Sequence, residues 1–171
     1  MLSKPLSSDK VFGSFTKRLF QPQDELTNHK AYKLMLAEAK LMDRVIRAKG
    51  YVNKEDYLCV IGIFKRTHGI SGAETKKLFK TLHESKGSKS KTQAFTNALK
   101  KNVKVDRLEQ ILEALWLVAC ANGKIEQSQR SIIARITRAI GLTDEHCMDA
   151  LKRAHRRNQL MQTDLFSKPL F

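Results

Sequence analysis

The sequence predicts an all-α protein, a compact helical bundle of about six to eight helices built from two pseudo-symmetric three-helix halves. Three prolines and eight glycines in 171 residues favour helices over the many short strands of a sandwich or barrel. Apolar residues recur three to four positions apart, as they do on the buried face of a helix. The pattern of residues 48–56 also recurs at 121–129. This repetition predicts two similar units that pack on each other, because neither buries its apolar face alone.

The first helix is predicted from about Asn28 to Ala48, where one face is apolar and Gly50 follows as a stop signal. The members of that face are Leu34, Ala37, Leu41, Val45 and Ala48. The second helix is expected to begin after Asn53, which forms a capping box with Asp56. Its predicted buried face carries Leu58, Ile61 and Phe64, and it stops near Gly69.

A third helix is predicted after Ser71, which has Glu74 three positions later and buries Leu78 and Leu82. The segment 86–91 contains lysine, serine and glycine and no apolar residue, which is typical of a flexible connector. A short helix from about 92 to 101 then leads into the second half.

The second half repeats this plan. Its first helix has an apolar stripe that ends at Gly123, formed by Leu108, Ile111, Leu112, Leu115, Val118 and Ala119. The next helix is predicted over 126–140 with its isoleucines buried, and Gly141 closes it. Thr143 is expected to cap the last helix. Trp116 lies on the apolar helix and is interpreted as a core residue.

These elements predict a flexible N-terminal arm at 1–27, a helical domain at 28–157 and a C-terminal tail at 158–171. Within the domain the halves are 28–85 and 104–157, joined by the basic connector 86–103. The sequence contains no long apolar run and no apolar signal-peptide core, so we expect a soluble, cytoplasmic protein. The odd number of cysteines, three, suits reduced and buried thiols.

The formal net charge is +15. Basic residues are concentrated in two regions, Lys76–Lys104 and Arg153–Arg157. Such regions attract an acidic protein, an anionic membrane surface or nucleic acid. An equally reasonable interpretation is that the lysines only keep the protein soluble. The candidate anion or partner contacts are Lys76, Lys77, Lys80, Lys89, Lys91, Lys100, Lys101, Lys104, Arg153, Arg156 and Arg157.

The segments 115–126, 132–141 and 142–145 resemble the second half of the TerB-like tellurite-resistance domain. Members of that family read as an apolar helix, Ala-Asp-Gly, one residue, Ile or Val, then acids and a second apolar helix that ends in Gly-Leu-Ser. The resemblance covers about residues 28–154, with a more degraded first half. It implies a helical bundle with a stress or tellurite-resistance role.

The resemblance also implies an acidic surface capable of binding divalent metal, and here this chain departs from the family. Lys49 and Asn122 stand where the family has aspartate before the glycine. The degenerate family positions are Glu55, Asp56, Asn122 and Glu126, and at most Glu55, Asp56 and Glu126 remain as acids. Because calcium and magnesium need several oxygen ligands around one point, we expect no metal site and no cofactor.

Other catalytic motifs are missing from the sequence. The five histidines lack zinc-ligand spacing, and His146 and Cys147 are neighbours that point about 100° apart on a helix. We therefore expect no enzyme activity and no small-molecule substrate. Two hypotheses remain. One is a noncatalytic TerB-like module that binds an acidic protein or an anionic membrane through a basic face. The alternative is a nucleic-acid-binding protein that contacts phosphates through Lys76–Lys104 and the Arg153–Arg157 region.

Overall fold

The structure, a computed structural model, describes residues 25–84 and 91–167. Most of the predicted N-terminal arm, the Lys89 position and residues 168–171 lie outside the described residues. The described part of the chain forms seven helices and no strand, which confirms the all-α prediction. They are α1 (Glu25–Arg47), α2 (Lys54–His68), α3 (Gly72–Glu84), α4 (Lys91–Asn102), α5 (Val105–Ala119), α6 (Gln127–Ala139) and α7 (Asp144–Ser167).

Helix α5 is the centre of the bundle and packs against α1, α2, α6 and α7. Every residue from 111 to 120 is buried, because this stretch is apolar on all sides except at Glu113. The predicted stripe of α5 is therefore confirmed. Trp116 is 4% exposed, as expected of a core residue.

Three of the predicted helix starts are confirmed by their caps. The Asn53 N–H donates to Asp56 Oδ2 at 2.7 Å ahead of α2. Ser71 and Glu74 exchange two hydrogen bonds at the start of α3. At α7 the backbone N–H of His146 donates to Thr143 Oγ1 at 3.3 Å. Each cap satisfies backbone N–H groups that the first helical turn leaves without a partner.

The predicted buried face of α2 was wrong at Leu58, which is 56% exposed. The face that is buried carries Asp56, Val60, Ile63 and Phe64. Successive helical residues are about 100° apart, so Leu58 lies on the opposite side from Asp56 and Val60. Burial of Asp56 thus fixes the rotation of α2 and turns Leu58 outward.

The short helix predicted from about 92 to 101 is confirmed, since α4 covers Lys91–Asn102 and packs on α1 and α6. Helix α7 continues to Ser167, beyond the domain end predicted at residue 157. All three cysteines are free thiols; Cys120 and Cys147 are buried and Cys59 is half-buried.

Candidate functional site

The two repeated segments form two turns that we call the first glycine corner (residues 48–56) and the second glycine corner (121–129). Gly50 and Gly123 have φ angles of 85° and 82°, in the region that glycine enters without a steric penalty. Their N–H groups donate to the carbonyl oxygens three residues earlier, at 3.1 and 2.9 Å. The N–H groups of Ala48 and Ala121 also make matching bonds, both 3.3 Å long. The local backbone of the two corners is thus the same, and the symmetry of the complete halves stays a prediction.

The first glycine corner contains a buried ion pair. Lys49 Nζ lies 2.8 Å from each carboxylate oxygen of Asp56, and both side chains are 1% exposed. The ammonium also lies 4.9 Å from the centre of the Tyr51 ring, within the range of a cation–π contact. Because Asp56 also accepts the Asn53 N–H, its buried negative charge is fully compensated.

The second glycine corner has a neutral residue at the corresponding place. Gln129 is 0% exposed, and its Oε1 accepts the Glu126 N–H at 3.1 Å. Its Nε2 donates to the carbonyl oxygen of Val45, at the end of α1, at 3.3 Å. The second corner is therefore tied to the helix that enters the first corner.

The residues at the four degenerate family positions do not fit a divalent cation. Asp56 is paired with Lys49, while Glu126 lies 3.0 Å from the ammonium of Lys124. The Asn122 Oδ1 accepts the Lys124 N–H, and Glu55 is exposed. In the part of the chain that the structure describes, no group of three or more His, Cys, Asp or Glu side chains is arranged to hold a metal ion. Ammonium groups stand beside these acids at both corners, and they compete with a metal by charge.

A basic cavity of about 610 Å³ opens beside the second glycine corner, between it, α6 and α7. Its lining combines cationic side chains with an apolar surface. The lining residues are Cys120, Gly123, Ile125, Arg130, Leu151, Lys152, His155 and Arg156. Among the described residues, Arg130 and Arg156 form no ion pair, and both are exposed. Lys152 makes one exposed contact of 3.2 Å with Asp149.

The thiol in this cavity is held in its neutral form. Burial raises the pKa of Cys120, and the positive charge of Arg130 opposes that effect only in part. A neutral thiol is a weak nucleophile and a weak metal ligand. The groups of the cavity that can bind an anion are therefore its cationic side chains and its apolar surface, and not the thiol.

Two of the predicted partner contacts belong to an internal ion-pair cluster. Arg153 Nε and Arg157 Nη2 each lie 3.0 Å from the carboxylate of Glu113, a residue of α5 that is 7% exposed. Residues four apart share one face of a helix, and here that face is turned toward α5. Of the three predicted arginines, only Arg156 lines the basic cavity.

The predicted lysines are divided between separate elements. Lys76, Lys77 and Lys80 are exposed on α3, which packs on α1 and α2. Lys100 and Lys101 are exposed at the end of α4, which packs on α1 and α6, and Lys104 follows them. Lys91 begins α4, but its side chain lies outside the described residues. None of the lysines whose side chains the structure describes lines the basic cavity, apart from Lys152 of α7.

The sequence analysis did not identify the buried acidic residues that form internal ion pairs with some of the basic residues. Glu38 is 4% exposed and binds both Arg107, at 2.8 Å, and His68, at 2.9 Å. The sequence analysis also did not identify Arg130, Lys152 and His155 as residues that line the basic cavity. The spacing of Lys152, His155 and Arg156, three and four apart, was the available signal for a shared face.

The sequence model of the family described as "Tellurite resistance protein TerB" matches residues 35–152, which include both glycine corners and most of the basic cavity. Neither the curated proteins nor the solved structures contain a significant match. Among the described helices, none has the length and apolar content needed to span a membrane.

Proposed function

Because this chain belongs to the TerB family of tellurite resistance proteins, we propose that it is a noncatalytic helical module that binds an acidic protein segment through the basic cavity. In this proposal the module acts in a tellurite-resistance or stress response. The single observation that supports this proposal most strongly is the lining of the cavity, where Arg130 and Arg156 are exposed beside Lys152 and His155. Grouped cations in a concave site concentrate the field and attract carboxylates.

The shape of the site favours a protein segment over a lipid bilayer. A cavity of about 610 Å³ admits side chains that project from a peptide, whereas the headgroups of a bilayer form a broad surface. Ile125 and Leu151 add apolar contacts that a carboxylate-bearing peptide can use through its neighbouring side chains. Arginine also pairs with carboxylates in a bidentate geometry, which adds orientation to the attraction.

A noncatalytic role is supported by the chemistry of the lining. The Cys120 thiol has a raised pKa because it is buried, which opposes its use as a nucleophile. His155 is exposed, and its contact is with Gln159, at 3.3 Å, rather than with an acid that would orient it as a base.

The proposal is tested by titrating the full chain with fluorescent polyglutamate at low and high salt. We expect binding that weakens as salt rises, because the contacts are between exposed charges. Arg130→Glu and Arg156→Glu should each weaken binding about tenfold, a loss typical of a central charged contact. The matched control is Lys77→Glu, which makes the same change in net charge on α3, away from the cavity.

The Lys77→Glu control distinguishes binding at the basic cavity from a general effect of net charge on polyglutamate binding. If Lys77→Glu weakens binding as much as Arg156→Glu, the cavity is not the binding site. Parallel titrations with duplex DNA and with phosphatidylserine vesicles test the other two partners. Binding to either that exceeds polyglutamate binding, and that is lost in Arg156→Glu, would replace the acidic protein as the partner.

A further inference from the structure

A second cavity, of about 260 Å³, lies where α4 packs on α1 and α6. We call it the arginine cavity, because its polar lining consists of two arginines, two threonines and one glutamine, with no acidic residue. These polar residues are Arg44 of α1, Thr92, Gln93 and Thr96 of α4, and Arg135 of α6. The arginine cavity shares no lining residue with the basic cavity. Sites for drug-sized molecules have volumes of about 300–1,000 Å³, so an occupant of this cavity is small.

The cation of the arginine cavity that belongs to α1 lacks the carboxylate partner that similar residues have. Three arginines are half-buried in the described part of the chain, namely Arg44, Arg107 and Arg153. Arg107 lies 2.8 Å from Glu38, and Arg153 lies 3.0 Å from Glu113. Arg44 pairs with no acid among the described residues. Partial burial of a charge costs free energy unless an opposite charge compensates it, so this position favours a bound anion.

The surroundings of the two cavity arginines leave both available to a ligand. Asp43 is the acid next to Arg44 in the sequence, and it binds Arg47 at 3.0 Å and His83 at 2.8 Å. Arg135 is exposed, and no acidic side chain of the described residues pairs with it. An anion in the cavity would therefore meet two guanidinium groups without displacing an internal ion pair.

The guanidinium of Arg44 is held in place before a ligand arrives. Its Nη1 donates a hydrogen bond of 2.6 Å to the hydroxyl oxygen of Thr92, in the first turn of α4. The contact joins α1 to α4 and restricts the long arginine side chain. A side chain that is already ordered loses less conformational entropy when it binds a ligand.

The hydrogen-bond donors of the arginine cavity suit a phosphate group. The Thr92 hydroxyl accepts from Arg44 and donates to no other described residue, so its proton is available. The Thr96 hydroxyl is not, because it donates to the backbone carbonyl oxygens of Thr92 and Gln93. Two guanidinium groups, one hydroxyl and the Gln93 amide offer more donors than the two oxygens of a carboxylate engage. A phosphate group presents three strong acceptor oxygens and nearly two negative charges.

We propose that the arginine cavity binds the phosphate group of a small molecule, with Arg44 and Arg135 as its charged contacts. This inference goes beyond the proposed function, because it assigns a second site with a different ligand. Ile132 and Ile136 line the same cavity and offer an apolar surface to a substituent on the phosphate. The ligand chemistry is thus that of inorganic phosphate or of a phosphate monoester with a short apolar group.

The test is isothermal titration calorimetry of the full chain with inorganic phosphate and with phenyl phosphate, in chloride buffer of constant ionic strength. Arg135→Gln should weaken phosphate binding about tenfold, because it removes a charged hydrogen-bond donor. Arg135 is exposed and glutamine is a good helix former, so the variant keeps its fold. Arg44→Lys keeps the charge and should still weaken binding several-fold, since an ammonium lacks the planar fork that engages Thr92 and phosphate together.

Arg130→Gln is the matched control, because it makes the same change on the same helix but in the basic cavity. It should leave the affinity for phosphate unchanged, while Arg135→Gln should leave the affinity for polyglutamate unchanged. Tighter binding of phenyl phosphate would assign the site to a monoester, and equal affinities would assign it to the free ion.

Two results would overturn the inference and leave the proposed function standing. One is the absence of binding by either phosphate compound at millimolar concentration. The other is an affinity for phosphate that falls as much in Arg130→Gln as in Arg135→Gln. Loss of polyglutamate binding alone would overturn the proposed function and leave the phosphate site intact.

Discussion

The ammonium of Lys49 lies 2.8 Å from both carboxylate oxygens of Asp56, and the pair is almost completely buried. At the second glycine corner the corresponding residues are Asn122 and Gln129, both uncharged. The two substitutions go together for a physical reason. A carboxylate at position 129 would be buried with no lysine to neutralise it, whereas the amide needs only hydrogen bonds. Each corner is therefore electrically balanced by its own side chains.

The buried pair makes Lys49 a strong determinant of stability. Lys49→Met removes the cation and leaves the Asp56 carboxylate buried and uncompensated. We expect a loss of about 3–5 kcal/mol in the free energy of unfolding, measured by urea denaturation at neutral pH.

The control for this prediction is the double variant Lys49→Met with Asp56→Asn. Asparagine keeps an oxygen for the Asn53 N–H and carries no charge. The double variant should recover much of the loss, so the two substitutions are strongly non-additive. Additive losses would show that Lys49 acts by packing and not by neutralising Asp56.

The side chains that correspond to the Lys49–Asp56 pair are uncharged at the second glycine corner, so adding a charge at position 129 should destabilise the protein. Gln129→Glu places a carboxylate where the structure has no lysine partner, and we expect a loss of about 1–3 kcal/mol at neutral pH. Burial would raise the pKa of the new carboxyl group above its value in the unfolded chain, so stability should improve as pH falls. Adding Asn122→Lys should recover stability at neutral pH. No recovery would mean that the corners differ in geometry as well as in charge.

The glycine of the second corner is predicted to be required for its positive φ. Gly123→Ala has open space for the new methyl group, so its cost of about 1–2 kcal/mol comes from the backbone conformation. Gly62→Ala is the matched control, since Gly62 lies within α2 and also faces open space. It should stabilise the protein by about 0.5–1 kcal/mol. Thermal unfolding of the two variants should therefore shift in opposite directions.

We expect the half-buried thiol of Cys59 to make the free energy of unfolding decrease at alkaline pH. Burial is the main cause that raises the pKa of its thiol from 9.0 to about 12. The unfolded chain releases this proton near pH 9 and the folded protein keeps it, so the contribution is fully present below pH 9 and is lost as pH rises toward 12. Cys59→Ala should flatten the stability curve in that range. An unchanged curve would contradict the assignment, as would rapid alkylation of Cys59 in the native protein near pH 8.

Much of the fold follows from local signals in the sequence. The caps at Asn53, Ser71 and Thr143 and the turns at Gly50 and Gly123 depend on residues a few positions apart, so the sequence contains the whole motif. The rotation of α2 was not predictable in this way. It depends on Asp56 being buried, and an aspartate is a buried residue here only because Lys49 reaches it from the preceding turn.

The site was less predictable than the fold. A count of cations placed Arg153 and Arg157 on the binding surface, but Glu113 of α5 binds both. That pairing joins residues 40 or more positions apart, and only the packing of α5 on α7 brings them together. The basic cavity likewise combines α6, α7 and a corner, so no single segment of the sequence contains it.

Binding at the basic cavity is tested most directly by locating the bound partner on the protein. Backbone amide chemical shifts of the isotope-labelled full chain are recorded during titration with polyglutamate at about physiological salt. If the basic cavity is the binding site, the largest changes occur around Gly123, Ile125, Arg130 and Arg156, and they are absent in Arg156→Glu. Changes centred on Lys76–Lys80 of α3, or saturating concentrations that produce none, would contradict it.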